Sequence, residues 1–387
     1  MTANLEPLSL YVHWPFCKSK CPYCDFNSHV RDTVDQTRWR NALLAELETT
    51  ARSLGPRRLE TIFFGGGTPS LMPPETVAAL IDAARHRFIP ADELEITLEA
   101  NPTSVETSRL AAFRDAGVNR VSLGVQALND DALRFLGRQH GARDAIQAVE
   151  IAQSLFERVS FDLIYARPGQ STAEWRAELT QALSLARGHL SLYQLTIEKG
   201  TPFHALVRDG AFTPPDDDTA FDLFELTQTL TEAAGLKAYE VSNHAAIGQE
   251  SRHNLAYWRY HDYAGIGPGA HGRLVRHDGR AVATRCHAKP ETWLETVEQK
   301  GEGSAEVTEL TPRERAEEML MMSLRLEEGL DLRAFARRTG MTLDELCPPS
   351  TRAPLIEGDF LIESDQRLST TRQGRAVLST LTGKLLA

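Results

Sequence analysis

A chain of 387 residues is too long for one small domain, and 42% hydrophobic with 25% charged residues is globular composition, which excludes a fibrous or disordered protein. The 42 basic and 53 acidic side chains leave a net charge of −11, which argues against nucleic acid or anionic lipid as the main partner. No apolar run approaches the roughly 20 residues of a membrane span, and residues 1–7 lack a signal-peptide pattern, so a cytoplasmic location is expected.

In chain order, short β-branched runs at 8–13, 59–64, 94–99, 119–124, 159–164 and 190–195 predict strands. Between them, helical periodicity covers 34–54, 74–88, 105–116, 142–155 and 172–186. Such alternation builds a parallel sheet of βα units whose strands are buried on both faces. The alternation stops after Leu195, two units short of a closed barrel. The expected fold is therefore α/β, with a partial (β/α)6 barrel over residues 1–200. An extension and connecting region follows over 201–310, with an N-cap loop at 213–218, a helix at 219–234 and a glycine-rich turn at 265–272. Residues 311–387 predict helices at 312–326, 331–339 and 343–347, two short strands around 360–362 and Leu368, and a last helix at 372–385. That pattern reads as a small winged-helix-like α+β unit. Such units often bind DNA, but the acidic charge argues against that here.

Cys17, Cys21 and Cys24 fall within eight residues, directly after the first strand. Cys286 and Cys347 lie far away and read as free thiols rather than a disulfide framework. Pro22 disfavours a regular helix through the three, which leaves a loop wrapped round a compact inorganic object. At the C-terminal end of a barrel strand, that is where barrel enzymes do their chemistry. Two objects compete. Structural zinc would take His13 or His29 as a fourth ligand, although it favours paired short spacings over this one. An iron–sulfur cluster normally takes four thiolates, so three would leave one iron open to an outside ligand.

Other polar or glycine-rich segments end the later strands. Gly65-Gly66-Gly67-Thr68-Pro69 allows a backbone to approach a ligand closely, or makes a plain tight turn. Glu99 precedes Asn101-Pro102, which also reads as a turn capping the next helix. Gln126, Arg138 and Asp162 share the strand-end position and are expected to face one site.

Taken together, CPYC with its preceding Cys17, FFGGGTPS, EANP, GVQ, DLIYxxPGQ and the C-terminal unit resemble the HemN-like branch of the radical S-adenosylmethionine superfamily, across nearly the whole chain. The resemblance implies a 4Fe–4S cluster on Cys17, Cys21 and Cys24, with S-adenosylmethionine chelating the open iron. It implies cofactor contacts from Tyr11, Tyr23, Gly66, Gly67, Thr68, Glu99, Gln126, Arg138 and Asp162, so that bulk added at Gly66 or Gly67 would block the cofactor and spare the cluster. The branch holds oxygen-independent coproporphyrinogen III oxidases and the HemW-type heme chaperones. The oxidases carry a further cysteine two residues past the third, where this chain has Phe26, and a longer segment before the cysteines. His253-Asn254-Leu255-Ala256-Tyr257-Trp258 is similar to the HNxxYW motif associated with heme in the chaperones. Heme is thereby implied as ligand, with His253, Tyr257 and Trp258 as its contacts, and a heme-acceptor protein as partner, soluble or membrane-associated. The expected function is a heme chaperone with no assigned catalytic residue; the alternative is a radical porphyrin enzyme such as the oxidase. Trp14 and Ala166-Arg167 depart from the family pattern, and the 265–271 turn suits either close approach to a cofactor or porphyrin, or a simple loop.

Overall fold

In the computed structural model, which describes residues 5–387, six strands alternate with helices through the first half: β1 (Pro7–Trp14), β2 (Arg58–Gly66), β3 (Ile89–Ala100), β4 (Arg120–Gln126), β5 (Arg158–Tyr165) and β6 (His189–Gln194). All are parallel, in sequence order. The first crossover helix, Gln36–Leu54, starts where the Asp35 carboxylate accepts from the Arg38 N–H at 3.0 Å. Ser171 and Glu174 form a capping box on the helix Thr172–Leu185.

Each strand alternates sharply. Leu10, Val12, Leu98, Val121, Phe161 and Leu192 point outward and are buried under the helices. The inward row is polar: Thr61, Glu95, Arg120, Ser122 and Ser160 are buried, and Asp162 is half-buried. Hydrogen bonds run from Arg120 to Ser160, on to Ser122, and from Ser122 to Asp162. These networks satisfy groups that burial would otherwise penalise.

The sheet does not end at six strands. Among the described residues it has twelve, extended by β7 (Lys237–Ala238), β8 (Asn243–Ala245), β9 (Tyr263–Ile266), β10 (His271–Val275), β11 (Ala281–Cys286) and β12 (Ser304–Glu309), in the order β12-β11-β10-β9-β1-β2-β3-β4-β5-β6-β8-β7. Strand β9 pairs parallel with β1, a seventh parallel strand that runs into the start of the predicted glycine-rich turn. Four residues with glycine in their midst carry too little periodicity to announce a strand. Gly267 follows it at φ +97°, and a Cβ there would collide with the His13 carbonyl. The glycines of this turn thus allow close approach to the protein's own backbone.

Two predicted helices are divided. The segment 105–116 forms Ser104–Thr107 and Leu110–Asp115, because Arg109 turns to donate to the Ser70 and Met72 carbonyls at 2.9 and 2.5 Å. The last helix breaks into Arg372–Ala376 and Leu378–Leu385, beside Gly374, which packs directly on the Phe360 backbone. The helix Pro349–Glu357 escaped prediction because prolines 348, 349 and 354 read as breakers, whereas Pro349 starts the helix, where its missing N–H costs nothing.

The helices and three-stranded sheet after Thr311 share a second core of Leu320, Leu324, Phe335, Leu368 and Leu381. Asp262 ties this unit to the barrel, pairing with Arg57 at 3.2 Å and Arg338 at 2.7 Å. Among the described residues, no helix is long and apolar enough to cross a membrane.

Candidate functional site

A cleft of about 980 Å³ opens at the C-terminal ends of the parallel strands. Its inner wall is the cysteine loop. The short strands Phe16–Cys17 and His29–Val30 pair to close the loop's base, and the Asn27 amide donates to the Pro268 and Ala288 carbonyls at 2.8 and 2.9 Å. Cys17, Cys21 and Cys24 all line the cleft, whereas Cys286 is buried beside Glu46 and Cys347 lies in the second core. Burial raises the thiol pKa of Cys17 and Cys24.

The donors round these thiols are specific. Thr68 Oγ1 donates to Cys17 Sγ at 3.4 Å, and Arg138 Nη1 donates to Cys21 Sγ at 3.3 Å. Arg138 also donates to Asn101 at 2.5 Å and to the Gly124 carbonyl at 2.8 Å, while its Nε is buried without a partner. No three His, Cys, Asp or Glu side chains among the described residues gather tightly enough for a single ion. His13 is committed elsewhere: Nε2 donates to the Asn27 carbonyl at 2.9 Å and Nδ1 accepts from the Tyr11 hydroxyl at 3.0 Å. Burial lowers its pKa to about 4, which keeps the ring in this neutral form. His29 Nε2 lies 3.0 Å from the Asn27 side-chain oxygen. The three thiols therefore suit an object larger than one zinc ion, and the partnerless nitrogen beside them suits a negatively charged one.

The glycine turn packs on the loop itself. Gly67 N–H donates to the Trp14 carbonyl at 2.7 Å and Thr68 N–H to the Phe16 carbonyl at 2.9 Å. A Cβ on Gly67 would lie 2.8 Å from the Phe16 oxygen and 3.0 Å from Cys17 Sγ; one on Gly66, at φ +115°, would meet His13. The expectation that bulk here would spare the cysteine loop is therefore corrected, because the side chain would strike the loop before any cofactor. Trp14, one of the departures from pattern, is buried edge-on to Phe16 and Trp39. Arg167, another, pairs with Glu178 at 2.5 Å beneath Ala166, itself at φ 56°.

The cleft floor is acidic. Glu99 accepts from the Gly66 N–H at 3.3 Å, and burial, then the nearby Asp162 charge, raises its pKa to about 8. Burial also raises Asp162 to about 6. Both line the cleft, as do Tyr23, Gly66, Gly67, Thr68, Gln126 and Arg138. Gln126 holds φ 73°, a conformation costing on the order of 1 kcal/mol for a non-glycine residue and typical of functional sites. Tyr11 does not line the cleft; it lies one layer below, through His13.

His253, Tyr257 and Trp258 do not line it either. Their helix, Arg252–Trp258, plugs the opposite end of the barrel, where the Arg252 and His253 N–H groups donate to Glu95 at 3.2 and 3.1 Å. The His253 ring is buried, stacked on Phe63 at 4.9 Å, with Nδ1 2.7 Å from the Thr61 hydroxyl, and burial lowers its pKa to about 4. Trp258 touches the cleft indirectly: the Arg325 guanidinium sits 4.4 Å above its ring, and Arg325 lines the cleft.

Sequence reasoning missed Asn101 as a partner of Arg138, the Ser122–Ser160 ladder, and the outer wall of Tyr193, Phe221, Arg325 and Arg375. The ladder left a signal in the paired Arg-Val-Ser openings of β4 and β5; the outer wall left none, since no motif surrounds those residues.

Comparison with known proteins decides the family. The radical SAM superfamily profile matches residues 11–181, and the HemN C-terminal domain profile matches 310–377. The chain is 42% identical over 386 residues to the mitochondrial radical S-adenosyl methionine domain-containing protein 1 of Bos taurus, covering 98% of this chain and 87% of that protein. It belongs to the HemN-like branch of the radical SAM superfamily. The heme chaperone HemW of Escherichia coli K12 is 39% identical over 388 residues, covering 99% of each chain. The solved structure of the E. coli coproporphyrinogen III oxidase HemN, a radical SAM enzyme, superposes with a TM-score of 0.82 at 21% identity, over 100% of this chain and 91% of that one; this likeness shows the fold. Membership implies a 4Fe–4S cluster and S-adenosylmethionine, and the thiol-lined cleft fits both.

Proposed function

We propose that this protein is a heme chaperone, which binds heme and passes it to an acceptor protein while carrying the cluster on Cys17, Cys21 and Cys24. Full-length similarity to proteins named as heme chaperones supports the reading. The observation that carries it against the oxidase alternative is Phe26. It lines the cleft mouth two residues past Cys24, where the oxidases have a cysteine, and it is 60% exposed. An apolar ring held open to the cleft suits contact with a macrocycle rather than thiol chemistry.

Bound together, cluster and S-adenosylmethionine supply one-electron chemistry at the sulfonium. The chain's own residues supply position. Gly66, Gly67 and Thr68 present backbone beside Cys17, and Arg138 compensates thiolate charge at Cys21 while fixing Asn101. Glu99 and Asp162, carrying a proton between them near neutral pH, offer donor and acceptor oxygens to a hydroxylated ligand. Gln126, Tyr23 and, behind them, Tyr11 complete the cradle. Within the HNxxYW segment, His253 fixes the barrel floor and Trp258 braces Arg325.

Anaerobic incubation of the reconstituted protein with coproporphyrinogen III, S-adenosylmethionine, a one-electron donor and an electron acceptor separates the two functions. No decarboxylation is expected, from either the unmodified protein or Phe26→Cys. Conversion to protoporphyrinogen by the unmodified protein would overturn the chaperone reading.

A further inference from the structure

The cleft wall formed by β6, the helix Asp217–Ala233 and the C-terminal unit has a chemistry of its own. Three large apolar side chains are exposed into it: Tyr193 at 40%, Phe221 at 43% and Val377 at 41%. Phe221 stands on the helix Asp217–Ala233, Tyr193 on β6, and Val377 between the two last helices of the C-terminal unit. Apolar surface gathered in one concavity marks a ligand site more than scattered exposure does.

Two arginines border that surface. Arg375 lines the cleft and makes one hydrogen bond, from Nη1 to the Thr370 carbonyl at 3.3 Å. Among the described residues, no carboxylate comes within the 4.0 Å of an ion pair with it, although its neighbour Arg372 reaches Glu225 and Glu232, both at 3.5 Å. Arg325 lies on Trp258, reaches Glu240 at 3.2 Å, and keeps a buried Nε without a partner. A half-buried guanidinium that lacks an anion is costly, and Arg is suited to grip a carboxylate through two parallel bonds. A net charge of −11 makes one arginine without a partner carboxylate in this cleft more pointed, because carboxylates are plentiful elsewhere on the chain; Arg325, already paired with Glu240, adds positive charge beside it.

We infer that the outer cleft, walled by Tyr193, Phe221 and Val377 and rimmed by Arg325 and Arg375, holds heme, with the macrocycle on the apolar wall and its propionates on the arginines. This rests on the heme-chaperone reading and adds to it a place and a mode of recognition. The C-terminal unit supplies Arg325, Arg375 and Val377, so it forms half of the heme site, and the HNxxYW segment acts through Trp258 beneath Arg325. A ligand gripped at its carboxylate edge keeps its iron free of the buried His253, which leaves the metal open to an acceptor.

The test compares ferric heme with its dimethyl ester, whose propionates carry no charge, by absorbance titration of anaerobically reconstituted protein. The unmodified protein is expected to bind the free acid at least about tenfold more tightly than the ester, the size of one charge-assisted contact. Arg375→Ala should lose most of that preference while binding the ester as before, with the iron–sulfur absorbance unchanged. Phe221→Ala should weaken acid and ester alike. Equal binding of acid and ester by the unmodified protein would overturn the inference while leaving the chaperone reading in place, and so would an undiminished preference in Arg375→Ala. Should Arg375→Ala fail to fold, the acid–ester comparison on the unmodified protein still decides. Failure to bind either form would instead overturn the chaperone reading itself, and the inference with it.

Discussion

Gly67 shows how much one hydrogen atom decides. Its N–H holds the Trp14 carbonyl, and its Cα faces Cys17 and the Phe16 carbonyl so closely that a methyl group has no room. Gly67→Ala should therefore fail to hold the cluster, not merely the cofactor. Iron content after anaerobic reconstitution is expected to fall several-fold, with far-ultraviolet circular dichroism little changed. Full iron retention together with lost cofactor binding would show that the turn serves the cofactor alone. Arg138 works at the same scale: one guanidinium reaches Cys21, Asn101 and the Gly124 carbonyl, which joins the cysteine loop to the ends of β3 and β4.

Among the elements, the strands carry two opposed faces, and that opposition has a pH signature. Glu99 on β3 is held protonated in the fold up to about pH 8, against an ordinary carboxyl value of 4.5. The folded state thus binds the proton more tightly than the unfolded chain, so stability is greatest below the ordinary value and declines as pH rises toward 8. The full decline is of the order of a few kcal/mol for a buried carboxyl. Urea midpoints of the metal-free protein should fall between pH 5 and pH 8, and Glu99→Gln should flatten that slope. A slope unchanged in the variant would place the titration elsewhere. The outward face was legible in the sequence, because runs such as Leu10-Tyr11-Val12 and Leu98-Glu99 advertise strands, and all six βα strands lie where the pattern put them. The inward face was not read, although the alternation of Arg120, Ser122 and Gly124 carries it, since the expectation for a parallel sheet is apolar on both sides. Strand β9 was illegible for another reason: its place beside β1 is fixed by long-range pairing after more than 250 residues of chain, not by its own composition. The cysteine loop and glycine turn were legible because each is a contiguous motif. The arginines of the outer cleft were not, because only folding brings Arg325 and Arg375 opposite β6.

In the whole molecule, two cores meet across one cleft. The barrel supplies the thiols and the acidic floor, and the C-terminal unit supplies cationic and apolar wall, with Asp262 pairing to Arg57 and Arg338 across the junction. On this reading, cluster and heme occupy the same chain at separate places. The direct measurement is iron, acid-labile sulfide and heme on one anaerobically reconstituted, heme-saturated sample, alongside Cys21→Ser. Roughly four cluster irons and about one heme per chain are expected, with Cys21→Ser losing the cluster and keeping the heme. A sample that took up heme only by giving up its cluster iron, or took up none, would contradict it.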